Sequence, residues 1–388
     1  MPVPPTWLTP GGAVCASGLV AGAAMETPVA YTLALRPSAP ALLRSQRAIL
    51  KVAGEQIADV EYRPEAGAPS PFTQVERLGV ARLIDEAGQL CPSCGHAHAL
   101  ALCQAIEVLL GIAPPPRAAW ARVAAAELER ASSHLATLAA LFECMGLVAL
   151  GAAFAEQGAA ARTTLTTLTG GRPGDWLRPG GLSRDPSAEE VAALERAGRL
   201  LERLFPIAER ALAARPLLAR TVDVGVISQS AAEQFGLAGP LGRAAGLGAD
   251  LRRDEPYAAY DELQPDVTPQ EGGDVYARIL VLLLESLEAL KLVERVAAGL
   301  PDGPWQGELP ETLPAGTATS AVEAPRGPLR YSVESDGRRV VRVTAQVAPQ
   351  LDRLLARTVL AQAALDDAAL IIVSTDPCDS CLAVANTL

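Results

Sequence analysis

Two Cys-x-x-Cys pairs are the residues of this chain whose type and spacing best suit metal chemistry. Cys91 and Cys94 form the first pair, and Cys378 and Cys381 form the second pair near the end of the 388 residues. Two thiolates three positions apart can converge on one ion at a turn or at the start of a helix. Four soft thiolates suit nickel, zinc or iron far better than magnesium or calcium. The pairs lie much farther apart than those of a structural zinc ribbon, so we expect one buried centre shared by both pairs.

Two other roles for these cysteines stay open on the residues alone. A thioredoxin-like redox site also uses a Cys-x-x-Cys pair, although neither pair here opens an evident βαβ pattern. A zinc-stabilised helical protein would also use four cysteines, and bound zinc without nickel would support that role.

The composition favours a helix-rich globular protein and excludes a nucleic-acid-binding role. Hydrophobic residues make up 49% of the chain and charged residues 20%, and the abundant Ala and Leu favour helices. A net charge of −11 is the opposite of the basic surface that binds phosphate backbones. The most apolar stretch, about residues 278–296, carries Glu285, Glu288 and Lys291, which predicts an amphipathic helix rather than a membrane span. The N-terminus lacks the basic start of a secretory signal, so we expect a cytoplasmic protein.

The hydrophobic patterns predict a mainly α (α+β) fold with two parts. Residues 1–70 form the predicted N-terminal β-rich region, and residues 71–388 form a helical domain with the metal site between residues 91–98 and 376–381. We expect a central helical bundle flanked by the β-rich region, with a turn at Gly54-Glu55, and by a C-terminal hairpin around Asp336-Gly337. Helices are predicted at about 95–110, 117–148, 188–214, 273–298 and 351–364, and an apolar strand at 370–374.

Several sequence blocks resemble the large subunits of nickel-iron hydrogenases and the related 49-kDa-type subunit of respiratory complex I. The segment Cys91-Pro-Ser-Cys94-Gly-His-Ala-His98 is similar to the N-terminal hydrogenase motif. The segment Asp376-Pro-Cys378-Asp-Ser-Cys381 is similar to the C-terminal one. Ordered matches run from about residue 45 to the C-terminus and include residues 127–134, 251–261, 273–278, 300–304 and 323–327. The complex I subunit generally lacks the four cysteines, so the resemblance favours a metal-bearing member of the energy-converting, membrane-bound branch.

The resemblance implies a nickel-iron centre that performs reversible oxidation of H2. Cys91 and Cys378 would bind nickel terminally, and Cys94 and Cys381 would bridge nickel to an iron that carries CO and cyanide ligands. Arg326 would be a fixed cation beside the metals, and His98 would hydrogen-bond near a bridging sulfur. The implied partners are an iron-sulfur small subunit, membrane subunits of an energy-converting complex and hydrogenase maturation proteins. The location implied is peripheral, on the cytoplasmic face of the membrane.

Several positions depart from the hydrogenase pattern. The most consequential departure is at the residue that normally relays protons. Pro92 stands where the hydrogenases usually have Gly, and Gln89 stands where they have Arg. The stretch 40–46 contains no carboxylate in place of the usual proton-relay glutamate. Glu107, which follows the first cysteine pair, is the candidate substitute, although a place on the helix surface is an equal expectation.

These departures support a second hypothesis, a non-catalytic relative. One form is a maturation scaffold that holds an iron precursor. The other is a coupling subunit of a complex-I-like NADH-quinone oxidoreductase, with the links to NAD and quinone that such a complex implies.

Overall fold

The computed structural model describes residues 16–21, 29–35, 46–63 and 71–385, and it begins with a four-stranded antiparallel sheet. Successive strands pair with each other in chain order. Gly54, with a φ of +67°, and Glu55 form the turn between the last two strands, as the sequence predicted. The strands are β1 (Ala16–Ala21), β2 (Val29–Leu35), β3 (Gln46–Ala53) and β4 (Gln56–Arg63).

Helices account for 56% of the structure and strands for 16%, which confirms the α+β class. The helices in the first half of the chain are α1 (Val80–Gly88), α2 (Gly95–Leu110), α3 (Pro116–Cys144), α4 (Val148–Thr169), α5 (Pro173–Trp176) and α6 (Ala188–Leu212). Those in the second half are α7 (Arg215–Thr221), α8 (Gln229–Gln234), α9 (Gly239–Arg243), α10 (Leu251–Asp254), α11 (Tyr260–Leu263), α12 (Val275–Gly299), α13 (Arg353–Leu360), α14 (Ala368–Ser374) and α15 (Asp379–Ala385).

Two further antiparallel sheets lie among the helices. The small one pairs β5 (Leu177–Arg178) with β6 (Gly181–Leu182). The larger one has the order β7 (Ala315–Ala324), β8 (Gly327–Asp336) and β9 (Val340–Val347). The residues on either side of Asp336-Gly337 pair as β8 and β9, and β7 adds a third strand on the other side of β8.

Helix α3 lies at the centre of the helical packing. It packs against α4 and α12, α12 also packs against α6, and α2 lies against β7 and β8. Most of α3 is buried, including charged side chains such as Glu127, Glu129 and Arg130. A buried charge is stable only with a partner, so the neighbours of α3 must supply opposite charges or hydrogen bonds.

Some predicted elements differ from the structure. Residues 370–374, predicted as a strand, lie in α14, because a short buried apolar run suits a helix as well as a strand. The helix predicted over 117–148 ends at Cys144, where Gly146 turns the chain with a φ of +77° and α4 begins at Val148. The helix predicted at 351–364 is shorter, as α13. The central-bundle description and the division of domains at residue 70 stay predictions.

No helix in the described parts of the chain is both long enough and apolar enough to cross a membrane. The stretch predicted as an amphipathic helix is α12, which holds Glu285 and Glu288 as buried residues rather than surface ones. These carboxylates face the protein interior, where the partners described below compensate the charge of Glu285.

Candidate metal centre

The structure brings the four cysteines of the two Cys-x-x-Cys pairs together. Cys91 follows α1, Cys94 stands directly before α2, and Cys378 and Cys381 lie at the start of α15. The Cys91 and Cys378 sulfurs are 3.5 Å apart, and the Cys94 and Cys381 sulfurs are 3.3 Å apart. None of the four side chains is more than 4% exposed. The first cysteines of the two pairs therefore contact each other, as do the second cysteines.

The surroundings of these thiols favour a thiolate at Cys91. Hydrogen bonds within the group, first that with Cys378, and the nearby positive charge of Arg326 lower the pKa of Cys91 well below its usual value. Burial acts in the opposite direction but is the weaker influence. Because the thiolate is the form that binds metals, this setting suits Cys91 as a metal ligand. Contacts with the other thiols, first those with Cys378, raise the pKa of Cys94 and Cys381 well above its usual value.

His98 contacts the cysteines from the first turn of α2. Its Nε2 lies 3.6 Å from the Cys381 sulfur, and its Nδ1 lies 2.8 Å from the hydroxyl of Tyr331 on β8. The side chain is fully buried, and burial lowers the pKa of His98 to about 4. The imidazole is therefore neutral at neutral pH, with one nitrogen directed at Tyr331 and the other at Cys381.

Arg326 connects the two loops that carry the cysteines. Its Nε donates to the carbonyl oxygen of Asp376 and its Nη2 to the Asp376 carboxylate, each over 3.0 Å. Its Nη1 donates to the hydroxyl of Ser93 over 3.2 Å, and that hydroxyl lies 3.3 Å from the Cys91 sulfur. Thr137 of α3 donates a further hydrogen bond to the Asp376 carboxylate. Arg326 thus places a permanent positive charge beside the thiols.

Glu107, the candidate proton relay, does not contact this group. It lies near the far end of α2, and twelve residues of helix beyond Gly95 correspond to about 18 Å. Its carboxylate pairs with Arg122 over 2.7 Å and accepts the amide hydrogen of Gly180 over 2.8 Å. Glu107 therefore forms a buried ion pair between α2 and α3, and its carboxylate lies neither beside the thiols nor on the helix surface.

A buried network of charged groups lies behind the site. His134 of α3 is 3.1 Å from Glu285 of α12, and Glu285 pairs with Arg243 over 2.6 Å. Arg243 also pairs over 2.9 Å with Glu323, which lies three residues before Arg326. His134 and Arg243 are therefore the partners of the buried Glu285 carboxylate.

A cleft between α3 and α4 approaches the site at Ser93. Its volume is about 320 Å3, and small residues such as Ala136 and Gly158 line much of it. Glu143 and Arg162 are the charged residues of its lining. The Ser133 hydroxyl, also in the lining, is buried and has no hydrogen-bond partner among the described residues, so water in the cleft would satisfy it.

The sequence did not indicate every residue that surrounds the thiols. Ser93 lies inside the first cysteine pair, and its position alone could have drawn attention to it. Tyr331 lies in the middle of a predicted strand and has no neighbouring motif. Glu129 lies within the matched block on α3, but the sequence gives no sign that it reaches α2.

The donor set fits a soft transition metal. Four buried sulfurs converge, and three of them, in Cys91, Cys378 and Cys381, lie within 4.8 Å of one another. Cys94, His98 and Cys381 form a second group of donors within the same distance. Thiolates select nickel, iron or zinc, and no carboxylate in the described residues joins either group. The four cysteines thus suit the metal expected from the sequence.

Comparison with known proteins identifies the family. Residues 153–314 match the sequence model of the respiratory-chain NADH dehydrogenase 49 Kd subunit. The carbon monoxide-induced hydrogenase of Rhodospirillum rubrum is 29% identical over 90% of this chain and 98% of its own length. A D-type NADH-quinone oxidoreductase subunit of Sinorhizobium medicae is 32% identical over 79% of this chain and 83% of its own length.

Two further comparisons agree with this assignment. Formate hydrogenlyase subunit 5 of Escherichia coli is 30% identical over 86% of this chain and 59% of its own length. The fold is also that of a chain in the membrane-bound sulfane sulfur reductase, an archaeal respiratory membrane complex. That chain gives a TM-score of 0.82 at 24% identity over 91% of this chain and 98% of that one. The chain therefore belongs to the oxidoreductase family that contains nickel-iron hydrogenase large subunits and the complex I 49-kDa subunit.

Proposed function

We propose that this chain is the large subunit of a membrane-associated oxidoreductase complex and that its four cysteines hold a nickel-iron centre. The observation that carries the proposal is the convergence of the two pairs, with sulfur-sulfur distances of 3.5 Å and 3.3 Å. The complex I subunit that this chain resembles generally lacks the four cysteines, whereas all four are present here and contact each other in pairs. The iron of the proposed centre carries CO and cyanide ligands.

Each residue around the thiols has a defined task in this proposal. Cys91, Cys94, Cys378 and Cys381 hold the metals, which would supply the redox chemistry for reversible oxidation of H2. Arg326 keeps a positive charge beside the centre at every working pH, because a guanidinium does not lose its proton. His98, oriented by Tyr331, donates toward the Cys381 sulfur and reduces its electron density.

Protons need a route that does not use Glu107 or the missing early glutamate. The Ser93 hydroxyl contacts the Cys91 sulfur, and Ser93 also lines the cleft between α3 and α4. A proton on the Cys91 sulfur can therefore pass to the Ser93 oxygen and from there to water in the cleft. The carboxylate of Glu143, in the lining of the same cleft, is a further acceptor on this route.

The proposed partners follow from the single redox site. Electrons from the centre must leave through a separate iron-sulfur subunit, because the three remaining cysteines cannot form the four-cysteine set of a second cluster. Hydrogenase maturation proteins would insert the metals, and membrane subunits would hold the complex at the cytoplasmic face of the membrane. The relatives named as parts of an NADH-quinone oxidoreductase and a formate hydrogenlyase support such an assembly.

A coupling role within an NADH-quinone oxidoreductase is the second candidate function. The match to the 49 Kd subunit over residues 153–314 favours it, and so do several relatives named as NADH-quinone oxidoreductase subunits of the D type. The absence of a relay carboxylate from the stretch 40–46 agrees with it. In that function the chain would transmit conformational change rather than cleave H2, and its cysteines would be free or would bind another metal.

An assay of the anaerobically purified complex distinguishes the two functions. We expect H2-dependent reduction of a viologen dye by the native complex and by a Cys103→Ser complex, whose altered cysteine is buried outside the centre. The Cys378→Ala complex should lose this activity. NADH-dependent quinone reduction in the native and Cys378→Ala complexes alike, without any H2-dependent activity, would support the coupling function and overturn the proposed centre.

A further inference from the structure

Helix α2 begins directly at a cysteine, which leaves its first turn without an ordinary cap. Cys94 occupies the N-cap position, and its side chain makes no capping hydrogen bond. Ser, Thr, Asp or Asn usually fills this position and accepts a hydrogen bond from the free amides of the first turn. A sulfur that binds a metal is not available for this task, so the amides at the start of α2 need another acceptor.

Glu129 of α3 is that acceptor. Its Oε1 accepts the amide hydrogen of His96 over 2.7 Å, and its Oε2 accepts that of Ala97 over 2.9 Å. These are the second and third residues of α2, the two amides that an N-cap side chain normally satisfies. The cap therefore comes from another helix, 33 residues farther along the chain.

The carboxylate is held deep in the protein for this contact. Glu129 is 1% exposed, and burial raises its pKa above the usual value. The positive charge of Arg162 on α4 and the two amide hydrogen bonds act in the opposite direction. The positive end of the α2 dipole adds a further attraction for a carboxylate at this position. Burial of a charge here is costly, and the contacts with α2 offset part of this cost.

We propose that Glu129 is a positioning residue for the metal centre: it caps α2 from α3 and thereby fixes Cys94 and His98. This inference rests on the proposed function, in which Cys94 is a metal ligand. The first turn of α2 carries both residues, and the His98 amide donates to the Cys94 carbonyl oxygen over 3.2 Å. A displacement of this turn would therefore move a proposed ligand and its neighbouring imidazole together.

Amide hydrogen exchange of the full chain tests the cap directly. In Glu129→Ala we expect the amides of His96 and Ala97 to exchange about 2- to 30-fold faster, the range that corresponds to the loss of an N-cap. Glu129→Gln keeps one acceptor oxygen, so its effect should be smaller. Glu143→Ala, a matched change of a less buried carboxylate on the same helix, should leave these amides unchanged. Unchanged exchange in Glu129→Ala would overturn the proposal.

Zinc affinity of the same variants tests the positioning role separately from catalysis. We expect the zinc dissociation constant, measured by competition with a chelator, to rise in Glu129→Ala and to recover partly in Glu129→Gln. Faster exchange without any change in zinc affinity would show a cap that does not position the site, and would overturn the positioning role. A native chain that binds no zinc would instead contradict the metal centre itself, while the exchange result would still decide whether Glu129 caps α2.

Discussion

Arg326 is the residue that joins the two cysteine-bearing loops, and its removal should destabilise the chain strongly. Arg326→Ala would leave the largely buried carboxylate of Asp376, which is 12% exposed in its side chain, without its charged partner. Removal of one member of a buried ion pair costs about 3–5 kcal/mol. We therefore expect a decrease of about 3 kcal/mol or more in the free energy of unfolding, measured by chemical denaturation.

Arg330 on β8 provides a matched control for Arg326. Its pair with Glu255 is exposed and 3.9 Å long, so Arg330→Ala should change the free energy of unfolding by about 0.5 kcal/mol or less. Equal effects of the two substitutions would contradict the role given to Arg326.

Tyr331 should influence metal binding through His98, because its hydroxyl is hydrogen-bonded to that imidazole and not to a sulfur. Its hydroxyl fixes the His98 ring from the side opposite Cys381. Loss of such a support typically lowers metal affinity about 10- to 100-fold. We expect a decrease of this size in Tyr331→Phe, measured with zinc. Ser332→Ala is the control, because the Ser332 side chain lies on the other face of β8, where its hydroxyl accepts a hydrogen bond from Thr319 of β7. An equal loss of zinc affinity in Ser332→Ala would contradict the role of Tyr331.

His134 should make the stability of the chain depend on pH. Burial lowers its pKa below 6.5, because a charged ring would lose its hydration, and Glu285, Asp376 and Arg130 are the charged groups that influence it. The unfolded chain therefore binds more protons than the folded one below about pH 6.5, and stability falls as the pH decreases from there. One such histidine contributes a slope of up to about 1.4 kcal/mol per pH unit.

His134→Gln isolates this contribution from that of the other two histidines. The variant keeps a donor toward Glu285 but does not titrate. We expect the free energy of unfolding of the variant to fall less steeply between about pH 6.5 and 5 than that of the native chain. Parallel curves for the two proteins would show that His134 does not carry the effect.

The residues of the site could be predicted from the sequence only where they belong to a local motif. The cysteines, His98 and Arg326 lie in recognisable blocks, and the structure brings them together. Tyr331 and Glu129 reach the site from other elements, so their roles depend on tertiary packing that no local pattern records. Glu107 was a candidate because of its type and spacing, but the length of α2 carries it away from the thiols.

At the scale of elements, the close approach of α1 and α2 determines where Cys94 lies. A Cβ atom at Gly95 would overlap the carbonyl oxygen of Gly88 at the end of α1. Gly95→Ala must therefore separate the two helices, and overpacking of this kind costs about 1–3 kcal/mol. We expect a loss of that size in the free energy of unfolding and weaker zinc binding.

Gly79, before α1, is the control for Gly95. An added Cβ there meets no atom within 4 Å, and its φ of −73° suits any residue. Gly79→Ala should therefore leave zinc binding nearly unchanged, and replacing this N-cap glycine of α1 should cost about 1 kcal/mol of stability or less. Similar zinc affinity in the two variants would contradict a role for the contact between α1 and α2.

Long elements with clear periodicity were predictable, and short buried ones were not. The helix predicted at 95–110 has the bounds of α2, and that predicted at 273–298 differs from α12 by two residues or fewer. The apolar run at 370–374 could form a helix or a strand, and only its packing against α3 and α12 decides for α14. Strand β7 consists mostly of small residues, and its buried and exposed positions do not alternate regularly, so its sequence did not indicate a strand.

At the scale of the whole molecule, the site exists only when both ends of the helical region meet. Cys91 and Cys378 are separated by 287 residues, yet their sulfurs are in contact. The buried network from His134 through Glu285 to Arg243 and Glu323 connects α3, α12, α9 and β7 behind the thiols. Relatives of this chain are named as a hydrogenase and as an NADH-quinone oxidoreductase subunit. The fold therefore does not decide between these two functions, and the proposal of a hydrogenase centre depends on the four thiols.

The most direct test of the central claim is metal analysis of the anaerobically purified complex, with infrared spectra of the same sample. We expect nickel and iron in equal amounts, one of each per chain, with the stretching bands of bound CO and cyanide, and the loss of both metals in Cys378→Ala. Iron with these bands but without nickel would indicate a maturation scaffold. Zinc alone, or no metal and no bands, would contradict the nickel-iron centre.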